Sequence, residues 1–103
     1  MILIEAMLET APGRRADLIS LMRRTMAASQ QEKGCVLYRF AADLERPDQF
    51  ILTELWDNED SLKAHFTGSA FRDFFAEFPG MGRFVGSNAW QGPLGPYVIP
   101  TGA

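Results

Sequence analysis

The chain is poor in the residue types that mark metal-binding and disulfide-rich proteins. Its 103 residues include a single cysteine, Cys35, and a single histidine, His65. One cysteine excludes an internal disulfide, and one cysteine with one histidine is too few for a zinc site. We therefore expect no metal site, and we expect Cys35 to be a buried, unreactive thiol.

Long apolar runs and an excess of positive charge are absent as well. No run approaches the ~18–20 apolar residues that cross a bilayer, and the first residues, MILIEAML, lack the basic segment of a signal peptide. Ten basic and thirteen acidic residues give a net charge of −3, whereas nucleic-acid-binding domains usually carry a basic face. The sequence therefore predicts a cytoplasmic protein with no membrane span and no nucleic-acid partner, folded as one domain over residues 1–103.

Hydrophobic periodicity and turn residues predict the order βαββ(αα)β. Leu18, Met22 and Met26 recur at helical spacing, and runs such as FILTELW are typical of strands. This order predicts an α+β ferredoxin-like sandwich (βαββαβ), in which an antiparallel sheet carries its helices on one face. The predicted elements are strands 2–9, 35–43, 50–56 and 84–91, helix 14–32, a short helix capped by Asp57 or Asn58, and helix 70–78 capped by Ser69.

Both faces of the second and third predicted strands are mostly apolar. A sheet with one solvent-facing side normally alternates apolar and polar residues. We expect Tyr38, Phe40, Leu52 and Trp56 to lie on the face away from the helices, where a second copy of the chain covers them. The sequence thus predicts a homodimer, and it predicts that residues 92–103 form an extended arm on the sheet or on the partner subunit.

The segment EKGCVLYRFAADLERPDQFILTELWDNEDSLKAHFTGSAFRDFF contains several motifs in a characteristic order. They are E-x-G-C followed by Tyr, a Pro before a Phe-led strand, E-x-W, an acidic helix start, and a His before Phe. From Ile4 to Phe78 the chain thereby resembles the antibiotic biosynthesis monooxygenase family, and it looks most like the small bacterial quinol monooxygenases. The resemblance implies a dimeric ferredoxin-like fold of the α/β-barrel type, with a pocket between the sheet and the helices.

Two branches of this family match the chain poorly. Aromatic-polyketide oxygenases have an Asn four residues before the Trp and a Tyr six residues after it, where this chain has Leu52 and Leu62. Haem-degrading members have a His ligand where this chain has Phe74 or Phe75. The resemblance therefore implies no haem and, more generally, no cofactor.

The remaining resemblance implies a cofactor-independent monooxygenase acting on a quinol-like or anthrone-like aromatic molecule. Such a substrate reduces oxygen itself once it is deprotonated, so the protein must supply an apolar cavity and a proton acceptor. Histidine is the side chain whose ordinary pKa lies nearest neutrality, and His65 is therefore the predicted catalytic residue. The predicted substrate-binding residues are Tyr38, Glu54, Trp56, Phe66 and Asn88.

Other hypotheses stay open at this point. The protein could be a non-catalytic dimeric binding protein for a small hydrophobic ligand, or a cofactor-free isomerase in which His65 shuttles a proton. His65 could also be a hydrogen-bonded histidine at a helix end, and Trp56 a core anchor whose N–H is bonded to a neighbour. The phenylalanines at 71, 74, 75 and 78 recur at helical spacing, which is typical of core residues.

Overall fold

A computed structural model of the protein describes residues 1–100. The predicted order of elements and the ferredoxin-like α+β class are confirmed. Two helices, rather than one, fill the second crossover, as the sequence indicates. The elements are β1 (Ile2–Thr10), α1 (Arg15–Ser29), β2 (Cys35–Ala42), β3 (Gln49–Trp56), α2 (Glu59–Phe66), α3 (Ser69–Glu77) and β4 (Gly82–Gln91).

The four strands form one sheet in the order β2-β3-β1-β4, and every neighbouring pair is antiparallel. Partners across an antiparallel ladder share a face of the sheet, so the pairing defines rows of side chains that cross all four strands. Helices α1 and α3 contact each other, α1 contacts β2, and α2 contacts β3. The helix-facing rows include Tyr38–Glu54–Ile4–Ala89, Phe40–Leu52–Ala6–Ser87 and Ala42–Phe50–Leu8–Phe84.

The core lies between these rows and the helices. Leu8 and Trp56 of the sheet and Leu18 of α1 have no exposed surface. Met22 and Phe74 close the core from the helical side. Burial of such apolar side chains contributes about 1.5–3 kcal/mol each, so this layer dominates the stability of the fold.

The predicted assignment of the two sheet faces is wrong. Tyr38, Leu52 and Trp56 are buried beneath the helices, and Phe40 packs against the same core. Because both faces carry apolar residues, alternation alone could not tell which face the helices cover, and a shift of one residue exchanges the two faces. The helix-free face instead carries the apolar rows Leu37–Leu55–Leu3–Trp90 and Ala41–Ile51–Met7–Gly86, separated by the polar row Arg39–Thr53–Glu5–Asn88.

A side chain caps the start of α2 but not the start of α3. Asn58 caps α2, because its Oδ1 accepts a hydrogen bond of 2.9 Å from the backbone N–H of Ser61. The predicted cap at Ser69 is wrong: Gly68 precedes α3 and Ser69 is already its first helical residue. Within residues 1–100, no helix has both the length and the hydrophobicity needed to cross a membrane.

The predicted arm begins where β4 ends. Residues 92–100 form neither helix nor strand, and the apolar side chains of Leu94, Tyr97, Val98 and Ile99 are 52–86% exposed. The arm is thus not buried on its own sheet, and its contact with a partner subunit stays a prediction. Its last residues, 101–103, lie outside the described part of the chain.

Candidate functional site

A cavity of about 520 Å³ lies between the sheet and helices α2 and α3. All four strands line it, together with the three helices. Its volume falls within the range of roughly 300–1,000 Å³ that is typical of small-molecule sites. The cavity therefore has a volume suited to a small molecule, and it lies where the family resemblance implies a pocket.

Aromatic rings form a large part of the cavity wall. Phe71, Phe74 and Phe75 of α3 line it together with Phe66 of α2 and Phe84 of β4. The expectation that the α3 phenylalanines belong to the core holds for Phe74 and Phe78, which are buried. Phe75 is 41% exposed and Phe66 47% exposed, so these two stand where the cavity meets the surface. The wall favours a flat aromatic ligand, which can stack on such rings.

His65 lies on the cavity wall and is only 2% exposed. Its ring centroid is 4.7 Å from that of Trp56 and 5.5 Å from that of Tyr38. Asn58 caps α2 shortly after β3 ends at Trp56, and His65 stands in the last turn of α2. The rings of Trp56 and His65 are therefore neighbours, although the two residues are nine positions apart in the chain.

Glu54 connects these two aromatic side chains. Its Oε1 accepts a hydrogen bond of 3.0 Å from the indole N–H of Trp56 and lies 3.8 Å from Nε2 of His65. The carboxyl group is buried and lines the cavity. Burial raises the pKa of Glu54, an effect that the Trp56 hydrogen bond and the nearby His65 oppose and that Glu32 reinforces.

Glu32 is a neighbour of His65 that residue order did not indicate. Glu32 Oε1 lies 2.7 Å from Nδ1 of the imidazole, whereas Glu54 is near the other ring nitrogen, Nε2. Glu32 follows the end of α1, in the E-x-G-C motif, and its side chain is 24% exposed. Glu32 belongs to a motif that the sequence already singled out. The spacing of that motif does not show, however, that Glu32 contacts a histidine 33 positions later.

Gly34 of the same motif holds this turn against α2. Its φ is +80°, in the left-handed region that favours glycine. A Cβ at this position would clash with the side chains of Ser61 and Asp57, and the carbonyl of Gly34 accepts a 2.9 Å hydrogen bond from the backbone N–H of Asp57. This close approach brings the Glu32 turn within reach of α2.

The remaining predicted binding residues occupy distinct positions. Tyr38 lines the cavity, and burial raises its pKa well above the ordinary tyrosine value, with a further contribution from Glu54. Trp56 is fully buried behind His65 and is absent from the wall as the structure describes it. Asn88 borders the cavity on the edge strand, although its row belongs to the helix-free face, opposite Glu5.

Two negative observations concern the described residues, 1–100. No group of three or more His, Cys, Asp or Glu side chains there is arranged to hold a metal ion, and no lysine or arginine lines the cavity.

Cys35 is half-buried, and burial raises the pKa of its thiol, with further contributions from Glu32 and Glu54. A raised pKa disfavours the reactive thiolate.

The arrangement suits proton transfer to or from a neutral aromatic molecule. An imidazole and a carboxyl group stand together at one part of an otherwise apolar wall. A buried histidine with one nitrogen held by a carboxylate has its other nitrogen free to accept or donate a proton. The flat, largely apolar remainder of the wall would orient the ligand.

Comparison with known proteins places this chain in a family. The sequence profile described as "Antibiotic biosynthesis monooxygenase" matches residues 1–77. The chain is also similar to "Putative monooxygenase YcnE" of Bacillus subtilis (strain 168). The two are 25% identical over 77 residues, which cover 75% of this chain and 81% of that protein.

Solved structures share the fold over almost the whole chain. A "putative antibiotic biosynthesis monooxygenase" from Deinococcus radiodurans superposes with a TM-score of 0.85 at 23% identity, covering 96% of this chain and 99% of that one. Another protein of that description, from Chloroflexus aurantiacus, gives a TM-score of 0.78 at 24% identity, with coverages of 95% and 97%. The profile and the named relatives support a monooxygenase-like function. The chain belongs to the antibiotic biosynthesis monooxygenase family.

Proposed function

We propose that the protein is a cofactor-independent monooxygenase that oxidises a quinol-like or anthrone-like aromatic molecule in the cavity. The observation that carries this proposal is the position of His65: it is buried, it lines a phenylalanine-walled cavity, and it has a carboxyl oxygen near each ring nitrogen. A general base in an apolar pocket is what an oxygen-dependent reaction of an electron-rich ring requires from a protein.

The proposed reaction needs only the substrate and molecular oxygen. Nε2 of His65 takes a proton from the substrate, and the resulting anion transfers an electron to O₂. The substrate radical and superoxide combine in a new C–O bond, and the proton returns from Nε2 to give a hydroperoxide. Loss of water then breaks the O–O bond and leaves a carbonyl, so that one oxygen atom enters the product and both hydrogens of the water come from the substrate.

Other cavity residues would position the substrate. The buried Tyr38 lines the cavity, and its hydroxyl, whose pKa burial raises further above neutrality, would donate a hydrogen bond to a substrate oxygen. Glu54 faces the same region and disfavours anionic substrates, since no cationic side chain in the described chain lines the wall to compensate. The proposed substrate is therefore neutral when it binds.

The test is oxygen consumption by the purified protein with a panel of reduced quinones and anthrones. His65→Gln should lower kcat by the ~10²–10⁴-fold that a general base contributes, with an unchanged circular dichroism spectrum. Lys63→Gln is the matched control, because Lys63 lies on the same helix with a 68% exposed side chain and should retain full activity. Full activity in His65→Gln would contradict the proposed role of His65.

The same experiment distinguishes the two alternative functions. A ligand that binds without oxygen uptake or chemical change indicates a non-catalytic binding protein. A product formed without oxygen consumption, but lost in His65→Gln, indicates an isomerase. Both functions would use the same cavity, so the readout has to follow the product as well as the oxygen.

We further propose that the working unit is a cytoplasmic homodimer joined through the helix-free sheet face. Two apolar rows cross this face, and Trp90 on it is 54% exposed. An exposed apolar patch of this kind is typical of an interface. The apolar arm after Gly92 would add to the buried area if it crossed to the partner subunit.

A further inference from the structure

The contact between Glu32 and His65 has a chemical consequence that the proposed function alone does not require. Oε1 of Glu32 and Nδ1 of His65 are 2.7 Å apart, a short distance for a nitrogen–oxygen hydrogen bond. An ionised carboxylate can only accept a hydrogen bond, so in this contact the proton lies on Nδ1. A neutral imidazole protonated on Nδ1 has its lone pair on Nε2.

The other side of the ring is arranged differently. Nε2 lies 3.8 Å from Oε1 of Glu54, which is too long for a direct hydrogen bond. That oxygen already accepts the indole N–H of Trp56. Nε2 is therefore not committed to Glu54, and it belongs to a side chain that lines the cavity.

From this geometry we infer that Glu32 is a positioning residue: it holds His65 in the form protonated on Nδ1, so that Nε2 presents its lone pair to the cavity. When Nε2 takes a substrate proton, the negative charge of Glu32 stabilises the imidazolium that forms. Glu32 need not touch the substrate, and it is not among the residues that line the cavity in the described chain. The catalytic part of this inference rests on the proposed function; the protonation of Nδ1 does not.

The local structure explains why the acid is held at this place. The turn that carries Glu32 is pinned against α2 by Gly34, whose carbonyl accepts the N–H of Asp57. Gly68 leaves room on the other side, because a Cβ there would stand 3.0 Å from Oε2 of Glu32. Two glycines in different segments thus allow the carboxylate to approach the imidazole.

The single histidine makes a direct measurement possible. In ¹⁵N-labelled protein, two-bond ¹H–¹⁵N correlation spectra of the imidazole show which ring nitrogen carries the proton, and no other histidine overlaps. At a pH at which His65 is neutral, we expect the unmodified protein to show a protonated Nδ1 and an unprotonated Nε2. In Glu32→Ala the proton should move wholly or partly to Nε2, because Nδ1 then loses the carboxylate that accepts its hydrogen bond.

Kinetics with a substrate of the panel give the second readout. Glu32→Ala and Glu32→Gln should lower kcat by at least about 10-fold, as part of the ~10²–10⁴-fold that a general base supplies, with little change in KM. Glu9→Gln is the matched control, because Glu9 is also a partly exposed acid in an ion pair, with Arg83, and lies outside the cavity wall. It should leave both the spectrum and kcat unchanged.

The outcomes separate this inference from the proposed function. A proton on Nε2 in the unmodified protein, or one that stays on Nδ1 in a folded Glu32→Ala variant, overturns the inference. A protonated Nδ1 that depends on Glu32, together with no oxygen consumption on any substrate, supports the positioning of His65 but contradicts the oxygenase. If the proton moves in Glu32→Ala and kcat stays the same, His65 does not act through Nε2.

Discussion

Trp56 donates its indole N–H to Oε1 of Glu54 over 3.0 Å. The two residues are two positions apart on β3, so their side chains leave the same face of the sheet. The bond satisfies the polar edge of a fully buried tryptophan and at the same time steadies a buried carboxyl group beside His65. A core anchor and a candidate functional group therefore depend on each other.

Trp56→Phe tests this dependence. The change keeps an aromatic ring next to His65 but removes the N–H, which leaves the buried carboxyl oxygen without its donor. The free energy of unfolding should fall by about 1–3 kcal/mol, the usual cost of an unsatisfied buried polar group, plus a smaller loss of packing. Chemical denaturation measures it. The double variant Trp56→Phe/Glu54→Leu should lose less than the sum of the two single changes, and strict additivity would contradict the coupling.

The raised pKa of Glu54 predicts a dependence of stability on pH. A group whose pKa is higher in the folded state binds more protons when the chain is folded. Its contribution to stability is therefore complete below the unfolded pKa of about 4.5, and it is lost as pH rises through the folded pKa. Glu54→Gln removes this contribution. The Tm of the variant relative to the unmodified protein should therefore rise between about pH 4.5 and neutrality. Glu45→Gln, in the exposed β2–β3 connection, should show no such trend.

Two glycines with positive φ differ in what surrounds them. Gly34 (φ +80°) would place a Cβ against Ser61 and Asp57, whereas Gly13 (φ +75°) has no atom within 4 Å of that position. Gly13→Ala should lower the free energy of unfolding by the ~1–2 kcal/mol that a left-handed alanine costs. Gly34→Ala should lower it clearly more, because its Cβ would also clash. Thermal unfolding compares them. Equal losses would show that the turn moves away from α2 at no cost.

The helix-free face predicts a dimer that one substitution disrupts. Leu55 stands within the row Leu37–Leu55–Leu3–Trp90, so Leu55→Glu would bury an unpaired charge in the proposed interface. We expect sedimentation at micromolar concentration to show a dimer for the unmodified protein and a monomer for the variant. Leu44→Glu, at a fully exposed loop position, should remain dimeric. If the unmodified protein were a monomer, the proposed homodimer would be contradicted.

The C-terminal arm predicts a smaller effect on the same equilibrium. Deleting residues 93–103 should weaken the dimer, because the arm carries apolar side chains that its own chain leaves exposed and its prolines limit the entropy lost on ordering. Replacing Leu94, Tyr97, Val98 and Ile99 by Ser in the full-length chain should weaken it to a similar degree. Unchanged oligomeric state and unchanged Tm in both variants would show that the arm has no such contact.

Residue order alone determined the elements and the family. Apolar spacing in α1, β-branched and aromatic runs in the strands, and the cap at Asn58 are local features, and each is decided by residues close in the chain. His65 lies near Trp56 in the structure, and only a capped turn and one short helix separate the two residues in the chain. The family resemblance and the ordinary pKa of histidine together named His65 as the candidate functional residue.

Only the tertiary structure decided which face the helices cover and what surrounds His65. Tyr38, Leu52 and Trp56 alternate with residues that are nearly as apolar, so the sequence contains two equivalent choices of face, and packing against α1 and α2 selects one. Glu32 and Glu54 reach His65 from segments that the sheet order and the Gly34 turn bring together. Contacts between distant segments depend on register and close packing, which residue order does not reveal.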